Sequence, residues 1–340
     1  MRSFASDNNS GIHPQIIQAV IDANQGHAVG YGDDALTAEA DAVFKKIFGD
    51  DVKPYFVFNG TGSNVVALQA VTSTYQSIIC SKTAHIYSDE CGAPAKATSA
   101  VLTALSTPDG KLTVDLVAAE LHGLGVQHHS QPKVISISQS TEIGTVYTVE
   151  ELKTLCNFAH SHNLYIHLDG SRLANACASL GVGMRELSRD CGVDILSLGG
   201  TKNGMMTGEA VIAFHPEWNE RLMYYRKQSA QLYSKMRYFS AQYISYFKDD
   251  LWLQNAKHSN EMAQYLAKQI QNLQGVKFTQ KVSANSLFLI LPKDVIRKML
   301  EYYFFYMWNE ETNEIRLVCS WDTTQADVDD FVNRLKTMLL

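Results

Sequence analysis

The feature that most limits the fold is an alternation, running to about residue 245, between short apolar runs and amphipathic stretches. The runs YFVFN (55–59), SIIC (77–80), KVISIS (133–138), LYIHLD (164–169), DILSLG (194–199) and EAVIAF (209–214) are rich in β-branched residues and predict strands. Between them, NVVALQAVTSTY (64–75), TVDLVAAELHGL (113–124) and VEELKTLCNFAHSH (149–162) carry the helical period. Thr148 ahead of the last stretch, with Glu151 three residues on, is a capping-box signature. Strands separated by helices imply an α/β fold whose mostly parallel sheet is covered on both faces. Ligands of such sheets gather at the carboxyl ends of the strands. From about 246 the pattern changes to a long helix (252–273), NSLFLILP (285–292), a polar–apolar helix, FFYMWN (304–309), EIRLVCSW (314–321) and a closing amphipathic helix (325–339). The expectation is a large domain over 1–245 and a small C-terminal α+β domain with an antiparallel sheet over 246–340.

Composition removes several function classes. The 340 residues are 46% apolar and 19% charged, enough to bury a full core. A net charge of −6 without any basic run opposes a nucleic-acid surface. No apolar run reaches the roughly 18 residues of a membrane span, and MRSFASDNNSGIHPQ has no signal-peptide core. Cys80, Cys91, Cys156, Cys177, Cys191 and Cys319 show no CxxC or zinc-like grouping, which implies reduced thiols and a cytoplasmic location. His128–His129 and His160/His162 lack further ligands at metal spacing, so no metal site is expected.

Three groups of residues sit where strands end. In DILSLGGTKNG, Lys202 follows a strand among small residues, where an amine is placed to form a Schiff base with a carbonyl; a solvated loop lysine is the plain reading. In HLDGSR, Asp169 ends a strand and is able to hold a metal, cap a helix, protonate a ring nitrogen or simply make a turn. Arg172 lies one helical turn further on. In NGTGSN, Gly60, Thr61, Gly62 and Ser63 offer N–H groups and hydroxyls at a helix start, where the dipole favours phosphate; a glycine turn with a serine cap is the alternative. Phosphate cradle, acid and lysine together meet the needs of pyridoxal 5′-phosphate (PLP).

With these motifs in order, the chain resembles the L-threonine aldolase family, in the β-eliminating lyase group of the aspartate-aminotransferase-like fold (fold type I). The resemblance rests on SDNNSG (6–11), YGDD (31–34), GTGSN (60–64), AHIYSDECGA (84–93), STEIGTVYT (140–148), HLDGSR (167–172), TKNG (201–204), MRY (236–238) and IRLVCSWDTT (315–324). It implies PLP held by Gly60, Thr61, Gly62, Asn64, His85, Asp169, Arg172 and Lys202, with Arg237 reaching a phosphate across a subunit interface. Substrate would be bound by Ser6, Tyr31, Arg172 and Arg316, with Tyr31 lent to a neighbouring subunit and Arg316 clamping the carboxylate. His85 would stack on the cofactor ring. Many relatives carry a histidine where this chain has Glu142, so His85, Glu142 and water all remain as the base for the β-hydroxyl. The segment NGMMTGEAV after the lysine also departs from the commoner pattern.

The implied reaction is retro-aldol cleavage of L-threonine, L-allo-threonine and related 3-hydroxy amino acids to glycine and an aldehyde, by a homotetramer with shared sites. Same-fold alternatives are a β-eliminating lyase and an amino-acid racemase. A PLP carrier and a nucleotide-binding protein using GTGSN are the alternatives from other classes.

Overall fold

The computed structural model describes residues 2–340. Its larger sheet has seven strands: β1 (Pro54–Val57), β2 (Gln76–Ser81), β3 (Val101–Leu105), β4 (Gln131–Ser138), β5 (Tyr165–Gly170), β6 (Ile195–Gly199) and β7 (Glu209–Ala213). They lie in the order β1-β7-β6-β5-β4-β2-β3. From β3 to β6 every neighbouring pair is parallel, while β7 runs antiparallel to both β6 and β1. Parallel neighbours need a crossover, which helix Val149–Ser161 provides between β4 and β5, and helix Leu173–Leu180 between β5 and β6.

Successive strand residues face opposite sides. Tyr55, Val134, Ile195 and Val211 therefore enter one core, and Phe56, Ile135, Leu196 and Ile212 the other. Burial on both faces explains why these strands read as nearly continuous apolar runs. Strand β3 has no counterpart in the sequence reading. It lies at the sheet edge with Val101 exposed and the rest half-buried, and its residues, VLTAL, form an apolar run of their own.

The capping box at Thr148 forms as expected, with Glu151 N–H donating to the hydroxyl and the Glu151 carboxylate accepting from Thr148 N–H. Two helices differ from expectation. The stretch 113–124 is an α-helix only over Val114–Ala119 and tightens to a 3-10 turn over Glu120–Gly123. The helix expected from residue 64 begins at Gly60, capped by Asn59 rather than by a serine.

A second sheet, β8 (Lys277–Phe278), β9 (Ser286–Ile290), β10 (Tyr306–Asn309) and β11 (Glu314–Val318), is antiparallel throughout in the order β10-β11-β9-β8. Helices Leu251–Ile270 and Gln325–Leu339 cover it, burying Leu266, Ile270, Phe331 and Leu335 against Leu287, Leu289 and Leu317. The N-terminal segment joins this second core. Phe4 packs on Tyr303 and Phe331, its N–H donates to Phe304 O (2.8 Å), and its carbonyl accepts from Val318 N–H (2.7 Å). Residues 5–7 thus reach the space between the two sheets. Among the described residues, no helix is long and apolar enough to cross a membrane.

Candidate active site

The carboxyl ends of β4, β5 and β6 lie on one rim of the large sheet. Because β7 is antiparallel, its first residue, Glu209, lies on that rim too, in register with Gly199. The rim is tight: a Cβ on Gly199 would come within 2.6 Å of Ser171 Cα, and one on Gly170 within 2.9 Å of Leu196. Only glycine lets the loops after β5 and β6 approach this closely.

Lys202 lies in the 3-10 turn Thr201–Asn203 directly after β6. Its amine makes no hydrogen bond or ion pair with any other described residue. Asp169, on adjacent β5, is buried and accepts from Asn64 Nδ2 (3.0 Å) and Ser171 N–H (3.0 Å). Burial pushes this carboxyl up, but Lys202, His167 and the two hydrogen bonds outweigh it and hold Asp169 below the ordinary carboxylate range. Asp169 therefore stays ionised. His167, one strand position pair below, is held neutral by burial and bonded to Ser136 Oγ (2.8 Å) and Ser197 Oγ (3.0 Å).

At the start of helix Gly60–Val71, Asn59 Oδ1 accepts from Gly62 N–H (2.8 Å) and Asn59 O from Ser63 N–H (2.9 Å). The N–H groups of Gly60 and Thr61 keep no capping partner among the described residues. The Ser63 hydroxyl is buried without one. Space above Gly60 is open, whereas Gly62 is covered by the Gln231 side chain, 2.4 Å from where a Cβ would stand. Asn64, two residues after Gly62, turns its amide towards Asp169 and Glu90.

His85 opens the short helix His85–Ser88, with Nδ1 2.8 Å from Glu90 Oε1. That hydrogen bond, against a smaller burial effect and with help from Glu142, Glu90 and Asp169, raises the His85 pKa. Glu142 is buried in the loop after β4, its carboxylate without a hydrogen bond to any other described residue. The loop is held by paired bonds between the Gln139 amide and the Tyr147 backbone (2.8 and 3.0 Å) and by Thr145 Oγ1 on Asp109 O (2.6 Å).

Arg172 and Arg316 have different surroundings. Arg172 is 5% exposed and forms a two-pronged pair with Asp7, itself 1% exposed, through Nε (2.7 Å) and Nη2 (2.9 Å). Asp7 also accepts from Asn285 Nδ2 (3.0 Å), beside β9. Arg316, in the middle of the small sheet, faces Trp308 (4.8 Å) and Tyr306 (5.5 Å) and donates to Ala5 O (3.2 Å). Its Nε is buried with no partner, and no carboxylate pairs with it among the described residues. Burial, then the nearby Arg172 charge, lowers its pKa. Ser6, next to Asp7, accepts from Asn8 N–H (3.2 Å).

The structure thus gathers Ser6, Asn64, His85, Glu142, Asp169, Arg172, Lys202 and Arg316 around one space between the sheets. Tyr31 and Arg237 lie elsewhere. Tyr31 is 54% exposed, with its N–H on Ser234 O (2.9 Å), and Arg237 donates to Gln25 O (3.1 Å). Three carboxylates beside the site escaped the sequence reading as site residues: Asp7, Glu90 and, on the rim itself, Glu209. Glu209 takes Gly200 N–H (3.0 Å), and burial pushes its carboxyl up to about 7. Its signal was a charge opening the apolar run EAVIAF, since charged residues are rarely buried without a task. His128, His129, His160 and His162 are exposed, and no metal-binding cluster occurs among the described residues.

The site residues fit a phosphorylated aldehyde with a basic ring nitrogen. A partnerless amine suits the aldehyde, an ionised buried acid the protonated nitrogen, and open N–H groups with an unpaired buried hydroxyl the phosphate. Comparison with known proteins agrees. The β-eliminating lyase family profile matches residues 3–293. A low specificity L-threonine aldolase of Pseudomonas aeruginosa is 40% identical over 99% of this chain and 98% of its own length. A low-specificity L-threonine aldolase of Eremothecium gossypii is 26% identical over 92% of this chain and 84% of its own. Among solved structures, a threonine aldolase of Leishmania major superposes with a TM-score of 0.94 at 30% identity, covering all of both chains.

Proposed function

The chain belongs to the β-eliminating lyase family and is a PLP-dependent lyase, and we propose that it cleaves L-threonine, L-allo-threonine and related 3-hydroxy amino acids to glycine and an aldehyde. The observation that carries this reading is a Lys202 amine without a hydrogen-bond partner among the described residues, close enough to the buried, ionised Asp169 of β5 to lower its pKa.

Lys202, Asp169, His85, Asn64 and the Gly60–Ser63 turn would hold the cofactor, with Arg172 close by. Arg237 would be lent by a neighbouring subunit. When bound, PLP supplies an electron sink for charge developing at Cα. Asp169 keeps the proton on the ring nitrogen and so keeps that sink effective. Arg316 takes the substrate carboxylate, assisted by Ser6; a guanidinium with a free Nε suits two-pronged binding. Fixing the carboxylate fixes which Cα bond is aligned for cleavage, and an aldolase aligns Cα–Cβ. A base then removes the β-hydroxyl proton, with His85 Nε2 and Glu142, which lies near enough to raise the His85 pKa, as the candidates.

Residues 1–245 serve as the cofactor domain and 246–340 as the small domain in this reading, and six free thiols agree with a reducing cytoplasm. The reading includes a homotetramer with shared sites, for which Tyr31 and Arg237, lying away from their own subunit's site, would be lent to a neighbour. The test is product analysis on the PLP-loaded protein, together with borohydride reduction and peptide mapping. Glycine with acetaldehyde from L-threonine, and a pyridoxyl label on Lys202, are expected. 2-Oxobutanoate with ammonia would make the protein an eliminating lyase, and D-amino acid product a racemase.

A further inference from the structure

Glu90 takes no part in the reaction as described, yet its side chain is fully buried against the site. Its Oε1 accepts from Asn64 Nδ2 (2.7 Å) and lies 2.8 Å from His85 Nδ1. The same Asn64 nitrogen donates to Asp169 Oδ2 (3.0 Å). An amide facing two carboxylates must present its NH₂, because its oxygen would meet two acceptors. Both hydrogens of Asn64 are thereby used, and its Oδ1 is left buried without a partner. The result is a continuous bonded line Asp169–Asn64–Glu90–His85.

A carboxylate only accepts, so the His85 nitrogen facing it carries the proton. Neutral His85 is then the Nδ1–H tautomer, and Nε2 is the free base. This rests on reading the Lys202–Asp169 space as the PLP site. We propose that Glu90 is a positioning residue, which holds His85 as the Nδ1–H tautomer with Nε2 turned to the substrate and, through the shared Asn64 amide, couples His85 to the acid that serves the cofactor's ring nitrogen. Three carboxylates face His85: Glu90, Glu142 and Asp169. Glu90 alone touches it.

The test uses PLP-loaded protein with ¹⁵N-labelled histidine, His85 being assigned by comparison with His85→Asn. Nitrogen shifts report tautomer and protonation directly, whether or not His85 is the base. In the unaltered protein His85 titrates as Nδ1–H, with Nε2 bare above its midpoint. Glu90→Gln preserves an oxygen at the same place and removes the charge. The midpoint falls by about one pH unit or more, the usual effect of a carboxylate in contact. Asp169→Asn lowers it by less, because an amide intervenes. An Nε2–H tautomer in the unaltered protein overturns the proposal without any variant. So does a midpoint unmoved by Glu90→Gln in protein that keeps the cofactor's visible band. An unaltered protein that never acquires that band instead removes the PLP reading beneath it.

Discussion

Replacing Asp7 by Asn should destabilise the protein more than any ordinary surface change. The Asp7 carboxylate accepts two bonds from Arg172 and one from Asn285, at 2.7, 2.9 and 3.0 Å. Asparagine keeps the shape but offers one acceptor and one donor. The amide NH₂ must face a donor from Arg172 or Asn285, and the buried guanidinium loses its counter-charge. Removing one partner of a buried pair costs about 3–5 kcal/mol, most of it the penalty of the charge left behind. At about 2 °C per kcal/mol for a chain this long, Tm falls by about 6–10 °C.

The pH dependence follows from the sign of the shift. Burial raises the Asp7 carboxyl, but Arg172, Lys202 and Asn285 outweigh it and hold the folded value below the usual one. The stabilisation is therefore complete above the unfolded value of about 3.9 and is lost as pH falls through the lower folded value. Differential scanning of the loaded protein from pH 7.5 downwards should show the two curves far apart at neutrality and converging in acid. Asp7→Leu with Arg172→Met, which removes both charges, should recover at least half of the lost Tm. A single variant melting within about 1 °C of the parent at pH 7.5 would refute the reasoning.

Two further outcomes are expected. Arg316→Ala should abolish the spectral change that glycine produces in the loaded protein while the cofactor's own band persists, and normal glycine binding would transfer the clamp to Arg172. Glu142→Gln and His85→Asn should separate on two assays: the residue serving the β-hydroxyl loses 3-hydroxy-substrate cleavage but keeps α-proton exchange of glycine, which has no hydroxyl. A Glu142→Gln protein that cleaves normally makes Glu142 a bystander.

What could be read from the sequence is what depends on neighbours along the chain. The apolar runs announce β1, β2, β4, β5, β6 and β7 because both faces of those strands are buried. The Thr148 capping box is legible because its partners are three residues apart. Asp169 and Lys202 stand out because each is a charge at the end of an apolar run, where a parallel sheet gathers its ligands. Edge strand β3 carries the same kind of signal, the apolar run VLTAL, so nothing physical hid it. The direction of β7, which brings Glu209 to the same rim, is hidden, because an apolar run does not state its sense in the sheet.

The residues that tune the site are hidden for a deeper reason. Asp7 meets Arg172 across 165 positions and Asn285 across 278, and Asn64 meets Asp169 across 105. No local period encodes such meetings, so neither Asp7 within SDNNSG nor Glu90 within AHIYSDECGA stands out as a site residue. Their effect on charge is nonetheless decisive. Arg172 and Arg316 are near enough for one to depress the other's pKa. Asp7 hydrogen-bonds Arg172 and not Arg316, which feels Asp7 and Glu142 only at longer range and forms no ion pair with a carboxylate among the described residues. Under the proposed function, a substrate carboxylate would then meet one vacant guanidinium rather than a pair of competing ones. In that reading, where the carboxylate's position selects the Cα bond that breaks, a buried aspartate in the N-terminal segment would help to choose the reaction without touching the reacting atoms.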